Sequence, residues 1–126
     1  MRDNQRQRVY DAERALYPNG EPIMTKQDGR RFFKRVQKAL EIPELALVWR
    51  RGGKNSYYRT GRNTICVLHA NKASILHEIA HHVIYVRYGT KVAPHGPEFA
   101  GVLASMLILF GGQRPTDVQH SFREVT

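Results

Sequence analysis

A single cysteine, a single tryptophan and no apolar run of membrane-spanning length set the first limits on this 126-residue chain. One cysteine closes no internal disulfide and builds no cysteine-ligated zinc ribbon. Its neighbours Ile65, Val67 and Leu68 mark Cys66 as a buried thiol rather than a reactive one. The longest apolar stretch, Phe99 to Phe110, falls short of the roughly 20 residues that a bilayer requires. The opening Met1-Arg2-Asp3-Asn4-Gln5-Arg6 has no apolar segment, so no secretory signal is visible and a soluble, cytoplasmic monomer is expected. Repeats and low-complexity tracts are missing too, which leaves one domain over residues 1–126. A chain of this size buries roughly two-thirds of its unfolded surface, enough for a core without staples.

Acidic residues are scarce: 11 Asp and Glu face 20 Lys and Arg, a net charge of +9. The excess is uneven, with +8 over residues 1–62 and +1 over residues 63–126. Such asymmetry points to an anionic partner, with nucleic acid the candidate. Arg30, Arg31, Lys34, Arg35, Arg50, Arg51, Lys54, Arg59 and Arg62 would contact phosphates, and the interleaved Phe32, Phe33, Trp49, Tyr57 and Tyr58 would stack on bases. The competing expectation is a solvated basic surface over an aromatic core. Helical spacing puts at least one of Phe32 and Phe33 inside.

Periodicity predicts an α+β order of elements. Asp3 would cap a first helix reaching about Tyr17, with Val9, Ala12 and Leu16 as a thin apolar stripe and Pro18-Asn19-Gly20 as its stop. Thr25 and Asp28 resemble a capping box for a second helix to about Leu40, its core face formed by Phe32, Phe33, Val36 and Leu40. Leu45 to Arg50, Ser56 to Arg59 and Asn63 to His69 read as the strands of a short β-meander. A helix from about Asn71 to Tyr88 stops at Gly89, and Pro97 opens a last helix ending at Gly111-Gly112. The polar tail from 113 to 126 is expected to be loosely held.

The chemistry lies in His77-Glu78-Ile79-Ala80-His81. Histidines four apart project from one helix face and can grip a single metal ion, while the intervening glutamate can reach a water held there and act as general base. Ile75, Leu76, Ile79, Ala80, Val83 and Ile84 make this helix apolar on most sides, so His77, Glu78 and His81 would be costly to bury unpaired. Zinc needs a third protein ligand and an open position. The metzincin spacing fails, because Ile84 and Arg87 stand where Gly and His belong. His95 and Glu98 remain as third ligands. His95 is favoured, at the end of a loop long enough to turn the chain back, with Glu98 supporting the ligands or capping the next helix. Tyr57, Tyr58, Tyr85, Tyr88 and His82 are candidate oxyanion stabilisers, each more often a packing residue. His82 points about 100° away from His81 and reads as a core histidine. His69 and His120 read as structural or surface residues.

His77-Glu78-Ile79-Ala80-His81 followed by His95-Gly96-Pro97-Glu98-Phe99 resembles the SprT/Spartan-type zinc metalloprotease domain, where H-E-x-x-H precedes H-G-x-x-F. The resemblance covers about residues 44–112. It implies a minimal zincin-like domain in which His77, His81 and His95 bind Zn2+, Glu78 is the catalytic base and the substrate is a protein or peptide. The opening Asp3 to Tyr10 also resembles a smaller group of predicted metallohydrolases from actinobacteria and their phages. Three readings follow: a zinc peptidase acting on DNA-associated proteins, a zinc hydrolase of nucleic acid, and a nucleic-acid-binding module with a silent metal site.

Overall fold

The computed structural model describes residues 5–42 and 44–125. Helix α1 (Arg6–Ala15) is followed by α2 (Lys26–Leu40), strands β1 (Ala46–Trp49), β2 (Tyr57–Arg59) and β3 (Thr64–Val67), and helices α3 (Lys72–Tyr88), α4 (Pro97–Leu109) and α5 (Pro115–Ser121). The α+β order of the sequence reading stands. Among the described residues, no helix is long and apolar enough to cross a membrane.

Helix ends follow local chemistry. The Thr25 hydroxyl accepts from the Asp28 amide at 3.1 Å, so the predicted cap of α2 forms. Asn71 caps α3 the same way, accepting from the Ser74 amide at 2.7 Å. Gly89 ends α3 with a φ of +61°, a conformation that costs glycine little. The proposed Asp3 cap lies outside the described residues; the residue at the N-cap position of α1 is Gln5.

The sheet is not a meander. Its order is β1-β3-β2, with β1 parallel to β3 (Leu47 opposite Ile65) and β2 antiparallel to β3 (Tyr58 opposite Ile65). A parallel pair needs a crossover of a dozen residues or more, and the segment 50–63 supplies it while laying β2 on the far edge. Burial explains the choice. Ile65, Cys66 and Val67 are all buried, as a central strand covered on both faces requires, whereas β1 alternates with Leu47 in and Ala46 and Val48 out. Cys66 is a buried free thiol, as expected.

Helix α3 packs against α4, the sheet and α2. Leu76, Ile79 and Ala80 have no solvent exposure, and α4 adds Phe99, Leu103 and Leu107. Each large side chain so buried contributes roughly 1.5–3 kcal/mol relative to exposure. Phe32, Phe33 and Val36 bring α2 onto the same core, where Gly29 is tight: a Cβ there would meet the Trp49 ring at 2.7 Å.

The expectation of a loosely held tail is corrected. Val118, Phe122 and Val125 are buried in the core, and α5 is the element against which α1 packs most. A signal was present: apolar residues at 118, 122 and 125 interrupt a polar segment at i, i+4, i+7, with Val118 in α5 and Phe122 and Val125 in the turns that follow it.

Candidate metal centre

Two elements build the centre. Helix α3 presents His77 and His81 one turn apart, their ring centroids 5.1 Å from each other. His95 arrives from the α3–α4 connection, where the Gly96 amide donates to the Ala93 carbonyl at 3.1 Å and Gly96 then serves as the N-cap of α4. Pro97 at the first helical position fixes where α4 begins, and so where His95 stands relative to α3. One ligand-type nitrogen from each of the three histidines lies within 4.8 Å of the others. Phe99, one turn into α4, forms the apolar floor: its ring stacks on His81 at 4.4 Å and meets His77 and His95 at 5.0 Å.

The donor set and its spacing fit a metal ion. His77 Nε2 and His95 Nε2 are 3.3 Å apart in a buried setting. Two nitrogens bound tetrahedrally at about 2.0–2.1 Å from zinc would be separated by about 3.3–3.4 Å. Burial, with the charges of His77, His95 and Arg6, holds the His81 imidazole far below its ordinary pKa, so the ring is neutral and its lone pair is available. Among the described residues, this triad is the group so arranged.

Sequence reasoning missed Glu13. From α1, its carboxylate oxygens lie 2.9 and 3.0 Å from His77 Nδ1, and both side chains are almost fully buried. The pairing makes Nδ1–H the donor and leaves the Nε2 lone pair facing the other histidines. Burial alone would lower the pKa of His77, but the charge and hydrogen bond of Glu13 raise it above its ordinary value. A signal was present. Val9, Ala12, Glu13 and Leu16 follow the i, i+3, i+4, i+7 pattern, so Glu13 occupies a core-facing position of an otherwise apolar stripe.

Glu78, next to His77 in α3, is buried. Burial, opposed by the charge of His77 and assisted by that of Glu13, pushes its carboxyl up to about 7. With His77 it lines a cavity of about 710 Å³ whose walls include Tyr10, Glu13, Glu21, Ser56 and His69. Glu21 is half-buried, and burial and the Glu13 charge raise its pKa. Tyr10 was missed as well. It stacks on His77 (5.1 Å, 16°) and tilts against His95 (5.5 Å). Burial and the Glu78 charge raise its phenol pKa, so it keeps its proton.

The oxyanion candidates drawn from sequence lie elsewhere. Tyr58 hydrogen-bonds His82 Nδ1 at 2.8 Å, and Tyr85 packs on Tyr58 at 6.3 Å. Tyr57 is exposed beneath Arg50, and Tyr88 is also exposed. His82, with no exposure, is the core histidine expected. Glu98 is exposed in the first turn of α4 and outside the triad. His120 is a surface residue beside Arg123.

The basic half divides. Arg31, Lys34, Arg35, Arg51, Lys54, Arg59 and Arg62 are exposed, while Arg30 is half-buried and donates to the Leu47 carbonyl at 3.4 Å. Arg50 is half-buried as well, donating to the Asn55 carbonyl. Phe32 and Phe33 are both in the core, which removes them as stacking platforms. Lys54, Arg6 and Arg14 join the wall of the cavity beside His77 and Glu78.

Compared with known proteins, the chain matches no family model, no curated protein and no solved structure, so the functional reading rests on its own residues.

Proposed function

We propose that this protein is a zinc-dependent hydrolase, and within that class a metallopeptidase with the chemistry implied by its resemblance to SprT/Spartan-type domains. One observation carries the reading. A buried carboxylate, Glu78, follows a member of the three-histidine cluster directly in α3 and lines, with His77, a cavity large enough for a chain segment. A purely structural metal site has no use for a buried base or an accessible wall.

His77, His81 and His95 would hold the metal. Zn2+ bound there supplies Lewis acidity, lowering the pKa of water to about 7 and polarising a carbonyl. Glu78 accepts the proton of the attacking water as the C–O bond forms, then passes it to the amine nitrogen as the C–N bond breaks. Glu13 keeps His77 in one tautomer and orientation through this cycle. Phe99 and the surrounding apolar side chains exclude stray water from the far side of the ligands.

Lys54, Arg6 and Arg14 share the cavity wall with Glu13, Glu21 and Glu78, so support for DNA-associated proteins as the substrate class comes instead from the exposed cations Arg31, Lys34, Arg35, Arg51, Arg59 and Arg62. They also sustain a second reading, hydrolysis of nucleic acid at the same centre. Purified zinc-loaded protein, assayed against casein, histones and single-stranded DNA, separates the two. Glu78→Gln is expected to lower peptide hydrolysis by about 10²–10⁴-fold with zinc retained. Cleavage of DNA alone would transfer the reading to nucleic acid. Native protein without zinc in elemental analysis would sink both.

A further inference from the structure

The peptidase reading leaves one role unfilled: a donor for the negative charge that develops on the carbonyl oxygen. Such a donor must stand beside the metal ligands, face the same space as Glu78 and be held rigidly. Tyr58 is committed to His82, and Tyr57 and Tyr88 face solvent. Ser56 Oγ accepts from the Leu68 amide at 2.8 Å, which ties it to the sheet. Tyr10 meets all three conditions. Its ring lies against two of the three histidines, at 5.1 Å from His77 and 5.5 Å from His95. It shares the cavity wall with Glu78. One turn later on α1, Glu13 is anchored to His77 Nδ1, which locks this helix against the ligands and fixes the register of Tyr10 over them.

We infer that Tyr10 is the oxyanion-stabilising residue, its hydroxyl donating a hydrogen bond to the substrate carbonyl oxygen as that oxygen gains charge. This rests on the peptidase reading and completes it. The Tyr10 O–H bond stays intact throughout. One water proton travels through Glu78 to the leaving nitrogen, the second leaves as the product acid ionises, and Tyr10 returns to its starting state when the carbonyl re-forms in the product carboxylate. Helix α1 therefore supplies two functional groups three residues apart: Glu13, paired with His77 Nδ1, and Tyr10, stacked on the His77 ring.

The test compares wild type with Tyr10→Phe, which keeps the ring stack and removes only the hydroxyl. Removing one oxyanion donor costs about 10²–10³-fold in kcat, and that loss is expected with KM changed less than about threefold and zinc affinity unchanged. Calorimetry on the zinc-loaded proteins gives an independent readout. A phosphinic tripeptide, which places a tetrahedral anion at the scissile position, should bind Tyr10→Phe at least about tenfold more weakly, while the carboxylate product binds both alike. Equal phosphinate affinity, or a kcat within twofold of wild type, overturns the role. Should the wild type cleave no peptide, the peptidase reading falls, and the phosphinate comparison still decides whether Tyr10 donates to a tetrahedral anion. Loss of zinc binding in Tyr10→Phe would make Tyr10 part of the ligand set and overturn the role as well.

Discussion

Helices α3 and α1 both serve the triad, but they are built in opposite ways. Helix α3 is buried on most sides, packs against α4, α2 and the sheet, and carries His77, Glu78 and His81. Helix α1 buries only Val9, Ala12 and Glu13, packs mainly on α5, and carries Glu13, which pairs with His77, and Tyr10, which stacks on it. The ligands are thus fixed by the core, whereas the groups that tune them depend on a thin outer layer. On the proposed function, that contrast would separate metal binding, set by the interior, from tuning and turnover, set by the α1–α5 pair.

The largest expected effect attacks the outer layer through its anchor. Phe122 is buried where α5 supports α1. Phe122→Ala should cost about 3–5 kcal/mol, as removal of a buried Phe ring does. Hydrogen exchange is expected to accelerate in α1 and α5 well before α3, because segments with few buried contacts open first. Uniform acceleration across α1 and α3 would erase the distinction between the two layers.

Next comes the link between layers. Glu13→Gln keeps size and a hydrogen-bond acceptor but removes the charge on His77 Nδ1. Loss of such a partner typically lowers metal affinity by about 10–100-fold, measured here by chelator competition at pH 7.5. The pH dependence carries a sign. Glu13 raises the His77 pKa, so protons compete with the metal from a higher pH in wild type, and affinity falls as pH drops through that raised value. In Glu13→Gln the Glu13 charge is gone and burial is opposed mainly by the smaller contributions of Glu78 and Glu21, so the His77 pKa falls relative to wild type and the acid limb moves down. An unshifted limb would mean that Glu13 does not act through His77.

The two layers also differ in how legible they were. The clustering of His77, His81 and His95 could be read directly, because ligand chemistry demands rare residue types at set spacings. The caps at Thr25 and Asn71 and the stop at Gly89 were similarly local. The strand order was not, since a parallel β1–β3 pair is a long-range choice set by burying Ile65, Cys66 and Val67 on both faces. Glu13 and Tyr10 were hidden for a related reason. They lie 64 and 67 residues before His77, and no local rule joins an N-terminal helix to a metal helix that distant in sequence. A charged residue within an apolar stripe was the available trace, and its meaning depended on the partner it meets.

The smallest effect sharpens the contrast by making one change in both settings. Thr25 and Asn71 each accept a hydrogen bond from the amide three residues on, but Thr25 is exposed and Asn71 is 4 % exposed. Losing an N-cap side chain costs about 0.5–2 kcal/mol. At Thr25, water can take over the freed Asp28 amide, so Thr25→Ala should fall near the lower end. At Asn71, the Ser74 amide belongs to a half-buried residue at the start of α3, where a replacement partner is scarcer and an unmet donor adds its own desolvation cost. Asn71→Ala should therefore reach the upper end in denaturant unfolding and lower metal affinity slightly, by loosening the first turn of α3 ahead of His77. Equal costs at the two caps would show that the interior protects α3 no better than solvent protects α2.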